Sequence, residues 1–259
     1  MLKLPQKIAD ITGNKSYTAD TTGKSDGSVY IYDDYVLKTE KNTKNADTCV
    51  KITEWLGDRL PVPRIIAHEV SGDMSYLLMS RIKGNMACDK YFLERPDELI
   101  PILADAFRMM WSIDISDCPV LRDADTELSE ARYRVEHNMV NMDNWEPETK
   151  RDFKDPTELL DWLERNKPSF EPVFSHGDFC LPNIFIENST ISGFIDIGDS
   201  GTGDKWRDLS YCWRSIKHNC DGTFCSEIYD IDPDMLFEEL GISPDREKLS
   251  YYILLDELF

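Results

Sequence analysis

Short runs of β-branched and aromatic residues dominate the first ninety positions of the chain. "YTADTT" (17–22), "SVYIYDD" (28–34) and "YVLKTE" (35–40) read as strands, with "TGKSDG" (22–27) turning the chain between the first two. The pattern then becomes helical over roughly 43–58, carrying Val50, Trp55 and Leu56, and the prolines of "LPVP" (60–63) end it. "RIIAHEV" (64–70) and "MSYLLMS" (74–80) predict a hairpin folded about Ser71, Gly72 and Asp73. From about residue 95 the period lengthens. Leu99, Ile102, Leu103, Ala106 and Met110 keep one face over three turns, with Pro101 near that helix's start or bending it. Further helical stretches run near 124–141, 156–166, 204–218, 233–240 and 245–257, and one β-rich patch over 173–204 interrupts them. The order predicts an α+β protein: a small β-rich N-lobe with one helix over 1–80, a hinge "RIKGNMA" at 81–87, and a larger, mainly helical C-lobe over 88–259.

With 259 residues and 41% hydrophobic content, the chain is long enough to bury ample core. Its 29 Lys and Arg against 49 Asp and Glu give a net charge of −20, which repels nucleic acid and anionic membrane and attracts cations. Seven cysteines form an odd count without framework spacing, so a reducing compartment is expected. "HNCDGTFC" (218–225) is a single half-site with a gap wider than a zinc knuckle, so no metal is expected there. The start lacks a signal peptide's apolar core, and no apolar run reaches about 18 residues, so the expected location is cytoplasmic.

The β-rich patch reads "VFSHGDFCLPNIFIENSTISGFIDIGDSGTGD" (173–204). His176, Gly177, Asp178, Asn183 and Asp196 stand at the ends of its apolar runs, where a hairpin would gather them as a turn, a metal site or an active site. An Asn amide oxygen and an Asp carboxylate are hard ligands suited to Mg²⁺, which binds through one or two protein groups plus phosphates. A further carboxylate at the loop's start accepts or orients a hydroxyl proton. That order, Asp178 then Asn183 then Asp196, is the part list of a kinase active site. His176 fits an orienting role better than that of a base, because phosphoryl transfer needs positioning and charge neutralisation more than a strong base. A two-carboxylate glycosidase built from Asp178 and Asp196 would leave Asn183 and Lys38 idle, and is rejected.

"FSHGDFCLPNIFI" with "GFIDIGDSGTGDKWRDLSYCWRSI" resembles the aminoglycoside 3′-phosphotransferases. The likeness continues through "LPVP", "LLMS", "SIDISDCP", "NWE", "FKDP" and the C-terminal "YYILLDELF", so it spans nearly the whole chain. The resemblance implies a protein-kinase-like bilobal fold. It also implies transfer of a nucleotide γ-phosphate, from ATP with GTP not excluded and with Mg²⁺, to a cationic aminoglycoside, which confers resistance. By the same resemblance Asp178 is the catalytic residue and Asn183 and Asp196 hold the metal. Lys38 and Ser25 receive the nucleotide phosphates, and the hinge from Met79 to Ile82 receives the base. Asp143, Glu146, Asp256, Glu257 and Phe259 face the drug. The family pattern is compatible with a monomer or homodimer.

The chain departs from that pattern in places. Cys49 stands where a helix Glu would pair with Lys38, and Val36 replaces an adenine-stacking aromatic. Asp199 replaces a basic residue, and Lys217, His218 and Asn219 occupy the region of an acidic pair that holds the drug. The same chemistry on another hydroxylated amine, or a nucleotide-binding homologue with little activity, are the alternatives these departures leave.

Overall fold

The computed structural model describes residues 4–13, 15–20, 27–224 and 226–259. The chain divides into two compact units: residues up to Asn85 with Phe185–Gly198, and Met86–Ile184 with Asp199–Phe259. The sequence reading draws its cut once, at 81–87. In the structure the hairpin that carries Asp196 returns to the N-terminal unit.

The first unit begins with α1 (Gln6–Thr12), followed by β1 (Thr18–Asp20), β2 (Ser28–Ile31), β3 (Tyr35–Lys41), α2 (Lys44–Leu56), β4 (Ile65–Ser71) and β5 (Met74–Ser80). The strands form one antiparallel sheet in the order β1-β2-β3-β5-β4. Alternation on β3 buries Leu37 and Thr39 and leaves Lys38 and Glu40 together on the opposite face. Leu37 joins Ile8, Tyr32, Ala67 and Leu78 in a core under α1. The Thr43 side chain accepts from the Ala46 N–H and caps α2, and Gly57 at φ +39° ends it.

The chain passes from one unit to the other within β6 (Asn85–Met86), and the second unit continues with α3 (Lys90–Leu93), α4 (Pro96–Trp111), β7 (Leu121–Arg122), α5 (Ala124–Glu136), α6 (Pro147–Asp152), α7 (Pro156–Arg165) and β8 (Pro172–Ser175). The hairpin of β9 (Ile184–Glu187) and β10 (Thr190–Phe194) belongs to the first unit apart from Ile184. Then follow β11 (Gly201–Asp204), α8 (Lys205–Cys220), α9 (Met235–Leu240) and α10 (Arg246–Asp256). Pro96 opens α4, so Pro101 lies inside the helix. α5 ends at Glu136 instead of running to 141, because Asn138 takes a left-handed φ of +54°. β11 lies between β7 and β8, parallel to the first and antiparallel to the second. α8 is buried along most of its length and packs on α10, and the rings of Phe107, Phe174, Phe179, Tyr251 and Tyr252 fill the core.

Candidate active site

In the first unit Lys38 projects from the sheet face that also carries Glu40. Its Nζ lies 3.6 Å from Glu40 Oε1 and 3.9 Å from Asp196 Oδ1. Burial works against the ammonium charge, but Asp196 and Glu40 outweigh it and hold the Lys38 pKa above the ordinary lysine value. α2 keeps the simple register, which places Cys49 within electrostatic reach of Lys38 and leaves Asp47 and Glu54 exposed. Burial raises the Cys49 thiol's pKa, so a neutral sulfhydryl stands there and the counter-ions come from β3 and the β10 loop instead.

Asp196 follows β10 at φ +57°, a left-handed conformation uncommon outside glycine, and its side chain is more than half exposed. Gly198, two residues on, packs beside Cys49; a Cβ there would sit 3.9 Å from its sulfur. Met79 pairs with Val36 across β3 and β5, and Ile82 packs against Gly193. Gly84 has φ +102° and approaches Ile186 so closely that a Cβ would meet the Ile186 carbonyl at 2.4 Å. Ser25 lies outside the described residues.

In the second unit the loop after β8 is fixed from below. Asp208 on α8 is almost wholly buried, and its carboxylate accepts from the N–H groups of His176 (2.7 Å) and Gly177 (2.9 Å). His176 is fully buried. Its Nδ1 accepts from the Asp178 N–H at 3.2 Å, and its carbonyl accepts from the Ser200 hydroxyl at 2.7 Å. Gly177 has φ +88°, and a Cβ would lie 2.2 Å from the Asp199 carbonyl, so only glycine fits. This scaffold presents a partly exposed Asp178. Asn183 donates to the Asp178 carboxylate at 2.8 Å and to its carbonyl at 2.9 Å. The amide nitrogen is thus committed to Asp178, which leaves the hard Oδ1 to offer a cation.

Asp199 is compensated within this unit. Its carboxylate pairs with Arg122 (3.1 Å), and its carbonyl accepts from Arg207, which also pairs with buried Glu127 at 2.5 Å. Burial raises the Glu127 carboxyl to about 7 while Arg207 and Arg122 pull it down.

The acidic residues near the C-terminus are internally engaged. Glu257 Oε1 accepts from the Glu146 N–H (2.8 Å) and the Thr149 hydroxyl (3.0 Å), and its carbonyl accepts from the Trp145 indole (2.7 Å). Burial raises the Glu257 carboxyl above its usual range against those two hydrogen bonds. Asp256 is ion-paired with Arg214, and Glu146 Oε1 lies 3.2 Å from His218 Nε2. Arg134 donates to the Leu258 and Phe259 carbonyls and lies 5.6 Å from the centre of the exposed Phe259 ring. Asp143 is exposed on a one-turn 3₁₀ segment, Met142–Asn144. Asn219 is buried and donates to the Ser215 carbonyl.

Sequence reasoning did not find Asp208, Glu40, Arg214 or Arg134. Glu40 was findable from its i+2 position after Lys38, whereas the other three depend on tertiary neighbours.

Asp178 held by Asn183 in one unit, and Lys38 paired to a left-handed Asp196 in the other, are the residue types that a phosphotransferase of protein-kinase-like fold uses. Residues 17–230 match the phosphotransferase enzyme family, and the chain belongs to it. It is 40% identical over 252 residues to an aminoglycoside 3′-phosphotransferase of Enterococcus faecalis, covering 93% of this chain and 92% of that one. An aminoglycoside 3′-phosphotransferase of Staphylococcus aureus is 39% identical over 251 residues, with the same coverage of both chains. Among solved structures, the aminoglycoside phosphotransferase APH(3'')-Id from Streptomyces rimosus has the same fold, with a TM-score of 0.82 at 23% identity over 97% of this chain and 95% of that one.

Proposed function

We propose that the chain transfers the γ-phosphoryl group of ATP to the 3′-hydroxyl of an aminoglycoside. The observation that carries this reading is the Asp178–Asn183 pair on a loop fixed by Asp208. Support for the acceptor comes from the Enterococcus and Staphylococcus relatives, which are aminoglycoside 3′-phosphotransferases. Support for the nucleotide comes from the Streptomyces rimosus enzyme, whose solved structures include a complex with ADP and streptomycin.

In this reading Asp178 accepts a hydrogen bond from the acceptor hydroxyl and takes its proton as the oxygen attacks the γ-phosphorus. The bond from that phosphorus to the β,γ-bridging oxygen breaks, and ADP leaves with the electron pair. Lys38 steadies the phosphates, with Glu40 keeping it charged and in place. Asn183 and Asp196 offer one amide oxygen and one carboxylate, a donor set that suits Mg²⁺ with phosphate oxygens completing its shell. Held by these residues, Mg²⁺ would supply neutralisation of the phosphate charge. The backbone of Met79–Ile82 receives the purine. Asp143, Glu146, Asp256, Glu257 and Phe259 form the acceptor's wall.

No described helix is long and apolar enough to cross a membrane. Free cysteines at 49, 88, 118, 180, 212 and 220 and the use of ATP support a cytoplasmic enzyme. The test is incubation with ATP, Mg²⁺ and kanamycin, followed by mass spectrometry of the drug. Gain of one phosphoryl group supports the reading; an unmodified drug and no ADP contradict it.

A further inference from the structure

Two of the carboxylates assigned to the acceptor wall are already matched by cations or potential cations of the chain itself: Asp256 by Arg214, and Glu146 by His218. The second pair differs from the first because only His218 can shed its charge near neutral pH. His218 lies in the last turn of α8, 6% exposed. The charged groups around it are Glu146 from the segment before α6, Arg214 and Lys217 from its own helix, and Asp221 at the helix end. Phe224 presses edge-on to the imidazole with ring centres 5.2 Å apart. Glu146, Arg214, Lys217 and His218 line a cleft of about 600 Å³ together with Phe153 and Trp213.

We propose that His218 is a specificity-determining residue whose imidazole competes with the acceptor's ammonium groups for the Glu146 carboxylate, so that a polycationic acceptor is held tightly only while His218 is neutral. This inference rests on the acceptor reading given above. A neutral imidazole donates one hydrogen bond from Nε2 and leaves the carboxylate's charge for the acceptor. An imidazolium cancels that charge and repels the incoming cation. Burial lowers the imidazole's proton affinity below the ordinary value of 6.5 against the pull of Glu146. Neutral His218 is therefore the working form at physiological pH, and the competing form accumulates on acidification. By linkage, a bound cation pushes His218 further toward the neutral form.

The test compares wild type with His218→Gln, whose side chain donates to Glu146 without titrating. Kanamycin KM, ATP KM and kcat are measured between about pH 5 and pH 8. The drug's own amines titrate identically in both assays, so the ratio of the two kanamycin KM values isolates the protein's contribution. The ratio of wild type to variant rises about 5-fold or more as pH falls, while the ATP KM ratio stays flat. A kanamycin ratio that does not change with pH, in enzymes that turn over, overturns the inference and leaves the acceptor reading standing. A second readout needs no variant. With histidines only at 68, 137, 176 and 218, the imidazole NMR signals are few enough to assign. Adding kanamycin shifts the His218 titration midpoint to lower pH, and an unmoved midpoint with kanamycin bound overturns the inference. Absence of both kanamycin binding and turnover removes the acceptor reading, and this inference with it.

Discussion

Asn183 holds Asp178 at two points, donating to its carboxylate at 2.8 Å and to its backbone carbonyl at 2.9 Å. One amide thereby fixes both the direction of the carboxylate and the loop that bears it. On the proposed mechanism this pre-orientation is the larger part of what Asp178 contributes, since phosphoryl transfer gains mostly from positioning. Asp178→Ala removes the proton acceptor without touching the sheet of the first unit. Turnover falls by about 10²–10⁴-fold or below detection, while ATP affinity stays within about twofold. Near-normal turnover in steady-state assays contradicts the assignment.

On the same mechanism Asp208 acts one step back from the chemistry, through the His176 and Gly177 N–H groups it accepts from. Asp208→Asn keeps the shape but can accept only one of the two N–H groups well, leaving a buried donor unsatisfied at a cost of about 1–3 kcal/mol. Urea unfolding should register that loss, and kcat should fall with ATP KM unchanged. An unaltered kcat in the folded variant would mean that the loop does not depend on this anchor.

Lys38 and Glu40 separate along the same strand. On the proposed mechanism Lys38→Met removes a charged contact to phosphate worth about 1.5–3 kcal/mol, so the KM for ATP rises about tenfold or more. Glu40→Gln has a smaller effect, because Asp196 remains 3.9 Å from the ammonium. Equal effects from the two substitutions would show that Glu40 is as important as the lysine and would revise its supporting role.

Acid sensitivity has a named contributor in Glu171. Its carboxylate accepts from Lys248 at 2.7 Å and from the Trp206 indole at 3.1 Å, and lies 3.3 Å from Lys205. Those contacts, the Lys248 bond foremost, lower its pKa from 4.5 to about 2. The folded state therefore binds this proton less readily than the unfolded one. The stabilisation is fully present above the ordinary value and is lost as pH falls through about 2. The side chain is nearly half exposed, which limits the gain to below about 1 kcal/mol. In urea titrations Glu171→Gln should unfold slightly earlier than wild type at neutral pH, with the gap closing on acidification. A gap independent of pH would assign the effect to packing.

Much of this was legible in the chain. The β-formers of "YVLKTE" marked the strand that the structure has as β3, and the gathering of Asp178 and Asn183 at the ends of apolar runs corresponds to a contact that the structure makes. The seven-residue α1 escaped because it is too short for a clear period and has no side-chain cap. The end of α5 was overrun because nothing local announces that Asn138 will take positive φ. Nothing in the sequence around the acidic wall reveals that Arg214, His218 and Arg134 fold back onto it from far along the chain. Periodicity reports faces; it is blind to which distant cation will meet which carboxylate.

The most direct test of the central claim is ADP release with ATP and Mg²⁺, measured with kanamycin and with tobramycin, which lacks the 3′-hydroxyl. Turnover of kanamycin without turnover of tobramycin is the predicted result and fixes both the reaction and the position. Equal turnover of both drugs would move the transfer to another hydroxyl. Silence on both, from folded protein that binds ATP, would contradict the account.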